Sequence, residues 1–251
     1  DIAFTASTGN ITLDSAGGGV SAPAAGNLIT ITATTGSILA ADGGAGVEVT
    51  GETVSLNALQ GSLGSGANPL DLSVTSALNA DTSTNNGDIT LRGQGGDLPL
   101  GSVTTGSTSL GTATISAPVG SITDANAGAV NITAGTVVLS ALNNIGALAA
   151  GPDVTLEATD YLETSTSSLS LSTTNAGTGV AIYNSGSVLD IAGLAAGGTN
   201  KGYIRIVKNN NSLTVDTAAA GGVRKNGLGE GLEGEDDIAL VTVTGGGMQV
   251  K

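Results

Sequence analysis

The sequence has no cysteine, no histidine and no tryptophan, and one phenylalanine and three tyrosines are its only aromatic residues. Without cysteine there are no disulfides, no thiol nucleophile and no thiolate metal site. Without histidine no Ser-His-Asp triad can be assembled, and any metal would have to be held by oxygen donors. Basic residues are scarce too: seven Lys and Arg stand against 21 Asp and Glu, a net charge of −14, and only Arg92 precedes position 201. Such a chain repels nucleic acid and anionic lipid, so neither is an expected partner. No apolar run approaches the ~20 residues needed to span a bilayer. No window sustains an i, i+3, i+4, i+7 apolar pattern beyond two turns, and 41 glycines argue further against helices. The chain opens at Asp1 without a signal peptide, which predicts a mature piece or excised segment of something longer.

What the chain does have is Val, Ile, Leu and Ala in short alternating strands between glycine corners. Leu70-Asp71-Leu72-Ser73-Val74, Ile89-Thr90-Leu91 and Leu169-Ser170-Leu171 each predict a strand with aliphatics inward and Thr, Ser, Asp or Glu outward. Phe4–Ile11 matches Ile31–Ile38 at a shift of 27, which defines one coil: strand, corner, strand, corner. Corners recur at Gly9, Gly36, Gly61, Gly87 and Gly120, where positive φ is the expected reason for glycine. Longer echoes join Thr30–Ile38 to Thr114–Ile122 at 84, and Val47–Leu59 to Val130–Leu142 at 83. A third joins Ile89–Ile122 to Val180–Leu213 at 91. Internal repetition on this scale decides the fold class before any motif does. It predicts an all-β parallel β-helix, a β-solenoid of about eleven coils in super-repeats of 84–91 residues. We expect one continuous segment over 1–251, with larger loops near 164–177 and 217–237.

The segments Leu59–Leu70 and Asn86–Leu91 resemble the degenerate repeats of filamentous-haemagglutinin-like proteins, very large bacterial surface exoproteins. The likeness covers most of the chain. It implies a right-handed parallel β-helix, export by a two-partner or autotransporter route, and a role as adhesin or structural stalk outside the cell. The family's amino-terminal secretion domain is not recognisable, and Asn68-Pro69 lies inside a repeat. The expected role is therefore a non-catalytic length of shaft. Its expected partners are flanking parts of a longer chain, copies of itself end to end, or a glycan or receptor on a cell surface. Unpaired strand edges at the ends of a solenoid recruit neighbours, which is the physical basis for the first two.

Several constellations compete with that reading. Polysaccharide lyases and hydrolases also use β-helices, and glycoside hydrolysis needs two carboxyl groups about 5–10 Å apart. Candidate pairs are Glu48 with Glu52, Asp153 with Glu157, and Asp160 with Glu163. The alternative for each is a solvated outward position. The cluster Glu233, Glu235, Asp236 and Asp237 supplies candidate calcium ligands, against a charged loop. Gly43–Glu48 approaches a calcium-binding nonapeptide, with Glu where Asp is required. Gly229-x-Gly231-x-x-Gly234 matches a dinucleotide fingerprint but is followed by strand pattern, not helix. Outward threonines (Thr30, Thr32, Thr90, Thr114) suggest an ice-binding face, which would require Thr-x-Thr at the same place in successive coils. Lys201, Arg205, Lys208, Arg224 and Lys225 gather the positive charge late in the chain. No cofactor is expected beyond that calcium candidate.

Overall fold

The computed structural model describes residues 1–43, 46–106, 110–147, 161–175, 178–186, 189–196, 204–209, 213–215, 223–225, 238–243 and 248–250, with side chains as far as 186 and at Ile206. Within them the only helical piece is a three-residue 3-10 turn, Ser15–Gly17. Everything else regular is strand, and every strand pairing among the described residues is parallel. The chain winds as a β-solenoid.

The coil foreseen from the 27-residue echo is present: Phe4 pairs with Ile31 and Ile11 with Ile38. Each early coil has three sides. In the first they are Ile2–Ala6, Ile11–Leu13 and Val20–Ala22. From Ile89–Gly93 onward the second and third sides run together, as in Thr112–Ala117 and Thr136–Ala141. One ladder counts the turns: Ile11, Ile38, Leu63, Ile89, Ala113, Val137 and Leu169 stack in sequence. That is about seven turns over residues 1–186. Three further rungs follow at Ile191, Val215 and Val250. The expectation of eleven coils was too high, because a turn takes 24 to 27 residues in the first half and 32 between Val137 and Leu169.

Two further expectations need correcting. The 84-residue echo is not a period of the stack: Ile31 lies on the first side between Phe4 and Leu56. Its echo, Ile115, lies on the merged sides between Leu91 and Leu139. Ile89 and Val180, related by 91, also stand in different ladders. The strand–corner–strand unit is reused at different corners, so its sequence recurs without the coil recurring. Nor is 164–177 a loop; it holds the strands Leu162–Ser165 and Ser168–Thr173. The extra residues fall instead between Ile145 and Leu162, since Ile132 pairs with Thr164 and Thr164 with Asn184. Within 217–237 a strand, Val223–Lys225, pairs with Leu194–Ala196, and the remainder lies outside the described residues.

The glycine corners stack as foreseen, for a different reason. Of the five named, only Gly9 has positive φ, at 79°. Gly9, Gly36, Gly61 and Gly87 form one column in which each backbone presses on the next. A methyl on Gly87 would come 1.8 Å from the Gly61 carbonyl oxygen. Gly120 belongs to another corner, over Gly96. Close approach, not handedness of φ, makes Gly36, Gly61, Gly87 and Gly120 glycine, whereas at Gly9 the positive φ does.

Inside, aliphatics form columns such as Ile29–Val54–Leu78–Leu100 and Leu70–Leu91–Ile115–Leu139–Leu171, all fully or almost fully buried. Each such side chain contributes roughly 1.5–3 kcal/mol by leaving water. A coil this narrow has no room for large rings, which accounts for the scarcity of aromatics. Phe4, on the open face of the first coil, is 48% exposed. Tyr161 and Tyr183 meet edge to face at the margin of the core, with centroids 6.3 Å apart.

Candidate functional site

The titratable groups that the fold buries gather at two corners, each placed just before a strand whose backbone is already stitched on both sides. At the first, the Glu48 N–H donates to the Asp71 carbonyl in the coil above, and the Glu48 carbonyl accepts from Val20 in the coil below. The Glu48 side chain turns inward, and its Oε2 accepts the Asp71 N–H at 2.5 Å. At the second, Asn131 does the same: its N–H donates to the Glu163 carbonyl, its carbonyl accepts from Val103, and its Oδ1 accepts the Glu163 N–H at 2.8 Å. Glu48 and Asn131 are both fully buried. They are also the 83-residue echo partners, so that echo records a shared corner device rather than a shared coil position. The device is an inward carbonyl-type oxygen closing a ring with the next rung's amide, and it satisfies backbone groups that would otherwise lack partners at a bend.

The charges around each corner differ. Above Glu48, the fully buried Asp71 receives Arg92 bidentately, Nε to Oδ1 at 2.5 Å and Nη2 to Oδ2 at 2.6 Å. The two residues are register neighbours in adjacent coils. The bond to Asp71 holds the guanidinium above its ordinary pKa, as a charge-assisted, two-point hydrogen bond does. Among the described residues Glu48 has no ion-pair partner. Burial pushes its carboxyl up to about 7, with the Asp71 and Asp42 carboxylates adding to the rise and the Asp71 amide opposing it. Asp42 lies within hydrogen-bonding reach of Glu48, and its Oδ2 accepts the Ser15 hydroxyl at 2.9 Å. Glu48 Oε1 and Asp42 Oδ1 are buried without a hydrogen-bond partner.

At the second corner the Asn131 amide Nδ2 donates to Asp124 Oδ1 and to the Leu100 carbonyl, both at 2.8 Å. Glu163, in the place of Asp71, is 6% exposed and faces no cation among the described residues. Burial, then the Asp124 charge, raises its carboxyl to about 7. Its Oε2 is buried and unpaired. A third buried polar corner is neutral: Asn184 accepts from the Thr166 N–H and the Thr164 hydroxyl and donates to the Thr166 carbonyl.

The pairs suggested by sequence are not assembled as pairs. Glu48 turns into the coil, whereas the partly exposed Glu52 carboxylate accepts the Gly26 N–H of the turn beneath it. Glu48, Asp71 and Glu163 are interior, not the solvated outward residues that alternation implied. Asp153, Glu157, Asp160, Glu233, Glu235, Asp236, Asp237, Lys201 and the Gly229–Gly234 run lie outside the described residues. So do the side chains of Arg205, Lys208, Arg224 and Lys225, whose backbones lie in strands. In Gly43–Glu48, the Glu carboxylate is engaged by Asp71, as described. Among the described residues no group of three acidic side chains could hold a metal ion, and no helix is long and apolar enough to cross a membrane. Threonine columns do not persist: Thr5 and Thr32 are followed by Asn57 and Asp81, and Thr90 and Thr114 by Val138 and Ser170. Sequence reasoning missed Asp42, Asp71, Asp124 and Asn131. The signals were present in Arg92, the lone cation of the first 200 residues, and in the alignment of Glu48 with Asn131.

In comparisons with known proteins, no family model, no curated protein and no solved structure matches the chain. Fold and corners together define a parallel β-solenoid repeat protein.

Proposed function

We propose that this chain is a length of shaft from an extracellular bacterial surface protein of the filamentous-haemagglutinin kind, a non-catalytic scaffold or adhesin. The observation that carries this reading is the use to which polar side chains are put. Asn10, Ser37, Asp88, Asp97 and Asn79 each accept a backbone N–H from the coil above. Buried Glu48 does likewise at its corner. Polar atoms committed to coil-to-coil bonds suit a part whose task is to extend and hold, because the stability of a solenoid is a sum over neighbouring repeats. A right-handed winding accords with the general rule for parallel crossovers.

The first coil supports a neighbour as well. Phe4, Ala6, Ile11, Leu13 and Val20 line a groove on its open face, a row that a further coil would cover in the manner that Leu28–Ala33 covers Ile2–Ala6. That coil comes from flanking chain or from a copy stacked end to end. Sedimentation over a range of concentrations separates these, since only end-to-end stacking gives growing oligomers. A glycan array and a cell-binding assay test adhesion. Reducing-sugar release from acidic polysaccharides, if seen, would replace the scaffold reading with a hydrolase.

A further inference from the structure

We propose that Glu48 carries a proton which its Oε1 donates to Asp42 Oδ1, making this corner an acid-tightened clasp within the second coil, beside the bond that ties Glu48 to the third. The second corner supplies the template. Asn131 occupies the same place, closes the same ring with the next rung, and uses its spare amide N–H to donate to Asp124. In the first corner the spare atom is Glu48 Oε1 and the waiting acceptor is Asp42 Oδ1. Both are buried, and both lack a partner unless one of them bears a hydrogen. A neutral Glu48 is thus the oxygen counterpart of Asn131, with one proton standing where the amide hydrogen stands.

The surroundings favour the neutral form. Asp71 faces Glu48 from the third coil, and its charge is answered by Arg92 of the fourth. Asp42 faces it from the turn after Ile38–Ala40 and is held by Ser15. In the first-coil loop the one carboxylate, Asp14, is turned to its own cap, accepting the Ala16 amide. Two carboxylates and one guanidinium already sit at the corner, so a third negative charge in a desolvated position is opposed. The rise of Glu48 to about 7 points the same way. When pH climbs past that value the proton passes to solvent, Asp42 and Glu48 repel, and the corner of the second coil loosens.

The sign is fixed by linkage: a carboxyl whose folded pKa is raised stabilises most below its unfolded value, and the benefit is lost as pH rises to the folded one. The test is thermal unfolding of the full chain from pH 5 to 8.5, in a Glu163→Gln background so that only one corner titrates. We expect the midpoint to fall by about 5 °C between pH 5 and 7.5. Adding Glu48→Gln, whose amide reproduces the Asn131 bonds, should leave pH 5 unchanged and remove the fall. Asp42→Asn should make it smaller, since burial and Asp71 still act on Glu48. A Glu48→Gln midpoint lowered equally at every pH would overturn the proposal, leaving Glu48 a packing residue. So would a background that does not respond to pH. Should Glu163→Gln not fold, the wild-type infrared spectrum at pH 6 decides, because a protonated-carboxyl band must be present there and must weaken in Glu48→Gln.

Discussion

Asp71 and Glu163 hold the same place, one rung above Glu48 and Asn131, and each gives its amide to the residue below. Their fates differ because of one residue. Asp71 has Arg92 at its register position in the next coil and is paired with it in a fully buried site. Glu163 has Tyr183 at that position, with the Asp124 carboxylate nearby, and its carboxyl rises to about 7. The coil above a buried acid therefore decides whether it gains an ion-pair partner, and an acid left without one is pushed toward its neutral form by burial.

The largest effect should come from breaking the favoured side of that contrast. Arg92→Met strands a buried carboxylate and should cost about 3–5 kcal/mol in urea unfolding. A loss below about 1 kcal/mol would mean that Asp71 is solvated. Next, Asn131→Leu removes the acceptor of the Glu163 amide and the donor to the Leu100 carbonyl. We expect a loss of about 2–3 kcal/mol from the orphaned groups. Smallest is Glu163→Gln, which concerns a proton alone. The raised carboxyl costs the fold stability as pH climbs from the unfolded value near 4.5 to about 7. The variant should match wild type at pH 5 and exceed it by about 1–2 kcal/mol at pH 8. Equal stability at both pH values would return Glu163 to an ordinary carboxyl.

Much of the fold could be read from alternation and glycine spacing, since an inward aliphatic every second residue admits few architectures. Ile29, Ile31, Leu56 and Ile115 face inward as the pattern implies. The coil count and the loop near 164–177 differ from expectation because an echo in this sequence is not a period of the stack. Parallel stacking rewards strand–corner–strand units wherever a corner occurs, so sequence similarity marks a type of corner and not a rotation of the coil. The acids failed for a related reason. Period two places Asp71 outside between Leu70 and Leu72, yet all three residues are buried. Only the residue stacked above shows whether a charge is tolerated there, and that neighbour lies 21 positions away in sequence.

The central claim is that distant residues are stacked in an unbroken parallel ladder. It is tested most directly by spin labels at Thr5 and Thr133, outward residues joined through Thr32, Asn57, Asp81 and Thr104. Five rungs at ~4.8 Å predict a narrow distance distribution centred near ~24 Å before label length. A broad distribution, or a maximum beyond about 40 Å, would contradict the ladder, since five rungs cannot reach that far.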